Sequence, residues 1–242
     1  MRRRTFLRSG SVALPAVALG LSTTGTAHAD VRPTGSIAYP FSAIDVPAKS
    51  APWTLETDRA VLLVHDMQHY FVKAYAPHTD PIGTVLNNVR SLLDVAHARG
   101  VPVLYSAQPG GMTPEQRGLF GQLYGPGMPD DDAERAIVDP IAPMATDTVL
   151  TKWKYSEFFR SELLEILRNA NRDQLIIVGV YAFSGITVTS ADAVQNDIQA
   201  FIVSDAVADY TAAGHNQALA WCAERTAKIL TTKSALAALG SS

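Results

Sequence analysis

Asp173 to Gly185 reads DQLIIVGVYAFSG. The run Leu175 to Val180 is short, apolar and rich in β-branched residues, the composition of a strand buried on both faces. A polar turn follows it, and then a helical stretch that ends at Asp192-Ala193. A strand with no polar face must be covered from both sides, so this stretch already argues for helices above and below a sheet.

The same grammar repeats along the chain. Ala60–His65, Val101–Ser106, Thr148–Thr151, Ala200–Ser204 and Lys228–Leu230 read as further strands, because they are short, apolar and bounded by turn chemistry. Between them lie helical patterns. Pro81 to Arg99 places Val85, Val89, Leu92, Leu93 and Ala96 on one face and stops at Gly100. Glu157 to Asn171 and Thr211 to Arg225 follow the same period. The expectation is a three-layer α/β domain, with a six-stranded, mainly parallel sheet and helices on both faces.

Three stretches divide the 242 residues. Residues 1–29 carry Arg3-Arg4-Thr5-Phe6-Leu7-Arg8, a weakly apolar run from Val12 to Leu21, and the small-residue site Ala27-His28-Ala29. Together these read as a cleaved twin-arginine export signal, with an apolar run too short to span a membrane. The protein is therefore expected to be secreted or otherwise extracytoplasmic. Residues 30–58 are proline-spaced and aperiodic, which reads as an extended arm over the domain formed by 59–242.

Loss of residues 1–29 removes four of the 20 basic side chains and none of the 23 acidic ones, leaving a net charge of −7. Nucleic acid is a poor partner for such a chain. The one cysteine, Cys222, excludes an internal disulfide, and its place in the pattern Ala218, Leu219, Trp221, Cys222 reads as a packed core thiol. The five histidines after residue 29, His65, His69, His78, His97 and His215, show no metal-binding spacing. No Walker motif and no GxGxxG follows a strand, and Ser184 lacks the GxSxG elbow of a serine hydrolase.

Polar residues collect instead at one rim. In parallel α/β sheets ligands lie beyond the carboxyl ends of the strands. Asp66 ends the first strand, Gln108 follows the second, Lys152 ends the third, and Tyr181 and Gly185 follow the fourth. Each has a plainer reading taken alone: Asp66 as the cap of a helix from Met67, Lys152 as a solvated lysine, Arg117 as a surface charge. Their convergence on one rim favours the functional reading.

The segments VLLVHDMQHYF, AQPGGMTPEQRGL followed by YGPGM, TKWKYSEFF, GVYAFSG and NDIQAFIVSDAVADY resemble, in order and spacing, the isochorismatases of siderophore and phenazine pathways. The resemblance covers nearly all of the chain after residue 29. It implies a Rossmann-like, isochorismatase-type fold, and an enzyme that hydrolyses the enolpyruvyl vinyl ether of isochorismate or 2-amino-2-deoxyisochorismate without a cofactor. Pyruvate and a dihydro-aromatic acid are the products. The family's catalytic aspartate falls on Asp66, its active-site lysine on Lys152, and on Gly185 the glycine that replaces the nucleophilic cysteine of related hydrolases. Substrate contacts fall on Gln108, Arg117, Tyr124 and Tyr181. The family often forms dimers, so a homodimer is a further implication.

Two positions depart from the family's pattern. Tyr181-Ala182-Phe183 stands where members commonly read YAH, which would remove a hydrogen-bonding ring from the pocket approach. Tyr124 stands where a tryptophan is frequent. Chemistry follows from these assignments. Protonation of a vinyl ether at its terminal carbon needs a general acid and no nucleophile. Asp66 is that acid, its proton favoured once a dicarboxylate substrate engages Lys152 and Arg117 and excludes water. Gly185 is expected to leave room for the enolpyruvyl group beside backbone amides at a helix start. Other readings are an exported small-carboxylate-binding protein without activity, or a cysteine-hydrolase-type amidase, which would need a thiol where Gly185 stands.

Overall fold

The apolar runs assemble into one sheet in the computed structural model, which describes residues 35–240. Its strands are β1 (Ala60–His65), β2 (Val103–Ala107), β3 (Thr148–Thr151), β4 (Gln174–Val180), β5 (Gln199–Ala208) and β6 (Ala227–Leu230). They lie in the order β3-β2-β1-β4-β5-β6, all parallel. The longer helices are α1 (Ile82–Ala98), α2 (Leu163–Asn169), α3 (Thr187–Gln195), α4 (Ala212–Arg225) and α5 (Thr232–Gly240).

Every residue of β1 and β4 is buried, so alternate side chains feed two separate cores. Ala60, Leu62 and Val64 pack with Val85, Val89 and Leu92 of α1 and with Ala235 and Leu239 of α5. Val61 and Leu63 face the other way, toward Leu163 and Leu167 of α2, Ala193 of α3 and Leu219 and Cys222 of α4. This is the three-layer arrangement expected from the uninterrupted apolar strands. Cys222 is fully buried, with Sγ near the Thr187 and Ser190 hydroxyls.

Strand order reverses between β1 and β4, and that junction is where an α/β sheet opens a crevice for a ligand. It is held tightly. Gly179 sits at φ 109, and a Cβ there would lie 2.2 Å from the carbonyl oxygen of His65, so only glycine lets the end of β4 press against the end of β1.

Several boundaries differ from the sequence reading. β2 begins at Val103 because Pro102 has no N–H to give to the ladder. β5 runs four residues past Ser204, with a register irregularity against β4 between Ile177 and Gly179. The helix expected from Glu157 starts only at Leu163: Arg160 adopts φ 56 and the Glu157 side chain turns inward. Helix α5 was not anticipated.

Residues 35–58 form no strand and contain one short turn of 3-10 helix, Phe41–Ala43. They are tied to the domain at several points, with Gly35 N–H donating to Lys73 O, Ala51 N–H to Ala227 O and Glu56 N–H to the Gln174 side chain. The export signal read from residues 1–29 lies outside the described residues. Among those described, no helix is long and apolar enough to cross a membrane.

Candidate active site

Strand β1 delivers Asp66 to the rim. The residue follows the strand at φ 51, which turns its carboxyl away from the strand line and inward, where it is 4% exposed. Ser106, on β2, donates from Oγ to Asp66 Oδ1 at 2.8 Å and accepts the Asp66 N–H at 3.1 Å. Lys152, just beyond β3, places Nζ 2.7 Å from Asp66 Oδ2, with its side chain only 2% exposed.

These contacts dispose of the plainer readings. Asp66 caps no helix, since the next helical turn, His69–Val72, has Gln68 at its cap. Lys152 is buried, not solvated. Arg117 is likewise no surface charge: it is 5% exposed and donates from Nε and Nη2 to the Gly125 carbonyl at 3.2 and 3.1 Å. It closes a short helical turn, Pro114–Arg117, fixed by a capping box between Thr113 and Gln116.

Burial alone would raise the Asp66 carboxyl, but the Lys152 charge and hydrogen bond, with His65 and Ser106, hold it below the usual carboxylate range. Beside it, burial and then the Lys152 charge push His65 down to about 4, so its ring is neutral near pH 7. The neutral ring donates from Nδ1 to the Val180 carbonyl at 2.7 Å, and Nε2 completes no hydrogen bond.

Gly185 lies in a π-helical turn, Ala182–Ile186, that leads into α3. A Cβ at this position would stand 2.3 Å from His65 Cε1 and 3.0 Å from Lys152 Nζ. The space freed by the missing side chain is thus taken up by the imidazole edge and the ammonium. This corrects the expectation that the glycine mainly makes room for substrate. The backbone amides expected to cradle an anion are also partly committed, because Ser184 and Ile186 donate to Tyr181 O, and Phe183 donates to the Asp209 carboxylate.

A cavity of about 140 Å³ opens above this centre. Asp66, Gln108, Arg117, Tyr124, Lys152, Tyr181 and Gly185 all line it, together with Phe71, Phe120, Tyr155, Ser184 and Tyr210. Gln108 is set by a two-way clamp: its N–H donates to the Gln68 side chain at 2.8 Å, and its carbonyl accepts from Gln68 Nε2 at 2.9 Å. The phenols of Tyr124 and Tyr155 hydrogen-bond each other. Tyr181 donates to the Phe71 carbonyl at 2.8 Å and stacks on Tyr210 with ring centroids 4.1 Å apart. Phe183, where the resemblance leads one to expect a histidine, does not line the cavity and is 43% exposed.

Sequence reasoning passed over Ser106, the neutral state of His65, and Glu157. Ser106 had a signal, being a polar residue in an otherwise apolar strand at its ligand-facing end. Glu157 is fully buried, and neither carboxyl oxygen completes a hydrogen bond.

Residues 60–234 match the family described as the isochorismatase domain. The chain is 48% identical to the phenazine biosynthesis protein PhzD1 of Pseudomonas aeruginosa, over 82% of this chain and 96% of that protein. It is 44% identical to the isochorismatase of Bacillus subtilis, over 81% of this chain and 62% of that one. A solved cysteine hydrolase from Pseudomonas syringae superposes with a TM-score of 0.73 over 81% of this chain and 98% of its own; at 21% identity it shares the fold alone. Since the domain match spans all six strands and the sequence identity approaches one half, the chain belongs to the isochorismatase family.

Proposed function

We propose that this chain hydrolyses the enolpyruvyl vinyl ether of isochorismate or 2-amino-2-deoxyisochorismate, giving pyruvate and a dihydro-aromatic acid. The observation that carries the reading is the buried Asp66–Lys152 pair facing a cavity in which a glycine, packed against His65, stands where a nucleophile would be needed for amide chemistry. Sequence identity of 44% to a protein named isochorismatase supports it.

At rest Asp66 is ionised against Lys152. A substrate bearing two carboxylates draws on the charges of Lys152 and Arg117 and displaces water, and both effects favour the protonated form of Asp66. Asp66 then transfers its proton to the terminal methylene. Water captures the oxocarbenium ion, and the hemiketal collapses to pyruvate and the ring alcohol. The carboxylate left on Asp66 stabilises the cation it has just created. An acid and a water suffice for this sequence, and no redox step occurs.

Incubation of the protein with isochorismate, with pyruvate as the readout, tests the reading. Turnover supports it; tight binding without pyruvate would return the chain to the class of carboxylate-binding proteins. Arg117→Ala is expected to act through binding. Loss of a charge-assisted hydrogen bond costs about 1.5–3 kcal/mol, or roughly ten- to two-hundredfold in KM, with kcat less affected. Unchanged constants would remove Arg117 from the site.

We also propose that the chain is exported by the twin-arginine route, on the strength of Arg3 and Arg4 ahead of an apolar run and a small-residue site. Changing both arginines to lysine is expected to hold full-length, folded protein in the cytoplasm. Continued appearance of protein starting at Asp30 outside the cell would reject the assignment.

A further inference from the structure

Glu157 is a buried acid that the scheme above leaves idle. Its backbone N–H is fixed by the Thr189 hydroxyl of α3 at 3.1 Å, and its carboxyl faces the Ser106 hydroxyl without completing a hydrogen bond to it. The ionisable groups around it are Lys152 beyond β3, Asp66 beyond β1 and Glu162 just ahead of α2, with His65 adjoining the Asp66–Lys152 pair.

The hydrogen-bond inventory at Ser106 constrains what Glu157 can be. Ser106 gives its one proton to Asp66 Oδ1 and accepts the Asp66 N–H, so only a lone pair remains for a third partner. A carboxylate has nothing to donate to that lone pair. A carboxylic acid does. Lys152, moreover, is a single cation already paired with Asp66, so two ionised acids here would leave an uncompensated buried charge.

We propose that Glu157 stores the proton that Asp66 delivers, passing it through the Ser106 hydroxyl when substrate enters. The inference rests on the vinyl ether reading given above. In the forward step the Glu157 O–H bond breaks as a new O–H forms on Ser106, and the proton that Ser106 held moves to Asp66 Oδ1. The result is a Glu157 carboxylate and an Asp66 acid, with total charge unchanged. After Asp66 protonates the methylene carbon, the water that captures the cation returns one proton to the Asp66 carboxylate, and the reverse transfer reloads Glu157. Burial, reinforced by the Asp66 charge and opposed by Lys152, pushes the Glu157 carboxyl up to about 8, so it holds its proton at neutral pH while Asp66 does not. Glu157 touches no substrate in this scheme; it acts through Ser106 and Asp66.

The test is the pH profile of pyruvate release by the wild type, Glu157→Gln and Ser106→Ala. Wild-type kcat is expected to hold to about pH 8 and fall above it. Glu157→Gln is expected to lose roughly tenfold or more in kcat near neutral pH, with KM held. The deficit should shrink as pH falls and solvent protonates Asp66 directly. Ser106→Ala should show the same loss of the alkaline limb in addition to the effect of removing its two hydrogen bonds to Asp66, and adding Glu157→Gln to it should cost nothing further, because both interrupt one path. Glu157→Asp should restore part of the loss. Independently of turnover and of variant folding, an isotope-edited infrared spectrum of the wild type should show a protonated Glu carboxyl band at neutral pH. Absence of that band, or a Glu157→Gln variant with wild-type kcat and an unmoved alkaline limb, overturns the relay alone. A wild type that releases no pyruvate overturns the function and the relay with it.

Discussion

Asp66→Asn is expected to lower turnover by about 10²–10⁴-fold, the range for loss of a positioned general acid, while a non-hydrolysable dianionic analogue still binds. Asparagine keeps the acceptor for Ser106 but offers Lys152 no charge, and leaving one member of a buried pair unmatched costs about 3–5 kcal/mol. A lower melting temperature should therefore accompany the lost activity. The double variant Asp66→Asn with Lys152→Met separates the two effects, since it removes the unmatched charge and should regain stability without regaining turnover. Kinetics by pyruvate release and melting by calorimetry supply both readouts. An Asp66→Asn variant that stays folded and releases pyruvate near the wild-type rate would place the acid elsewhere.

Gly185→Cys is expected to damage the enzyme rather than convert it. The new Cβ would overlap His65 Cε1, and the ring cannot swing aside without giving up its 2.7 Å hydrogen bond to the Val180 carbonyl. Overpacking of this kind costs about 1–3 kcal/mol, and displacement of Lys152 by even about 1 Å can cost 10²-fold in rate. Gly185→Ala should show most of the same loss without a thiol, which identifies the cause as steric. Efficient nicotinamide hydrolysis by the cysteine variant would show instead that the site is an amidase lacking only its nucleophile.

The sheet was legible because its strands are unmistakable: AVLLVH and LIIVGV leave no polar face to expose, and the stretches between consecutive strands are long enough for the crossovers that parallel pairing needs. The rim was legible for the same reason, as residues at strand ends must share one edge of a parallel sheet. What escaped depends on side-chain direction. Glu157 in YSEFF reads as the first residue of a helix, but Arg160 breaks the pattern and the carboxyl is buried. Gly185 was read as room for substrate because sequence gives no sign that the His65 ring reaches across to fill it. Helix α5 is a short Ala/Leu run whose cap, the Thr231 hydroxyl accepting from Ser234 N–H at 3.2 Å, is a weak mark in sequence.

The strand order sets a schedule for the nascent chain. β1, β2 and β3 leave the ribosome first and can pair among themselves, bringing Asp66, Ser106 and Lys152 together before the rest of the cavity exists. The other flank of β1 belongs to β4, which begins at Gln174, more than a hundred residues later in synthesis. At typical elongation rates of about 5–20 residues per second, AVLLVH waits for seconds with an open edge. Such an edge is an aggregation hazard. Slow closure of a long-range parallel pair then governs how soon the chain is safe. Overexpression is for that reason expected to reward cooling and chaperone supply more than any change at the mature surface.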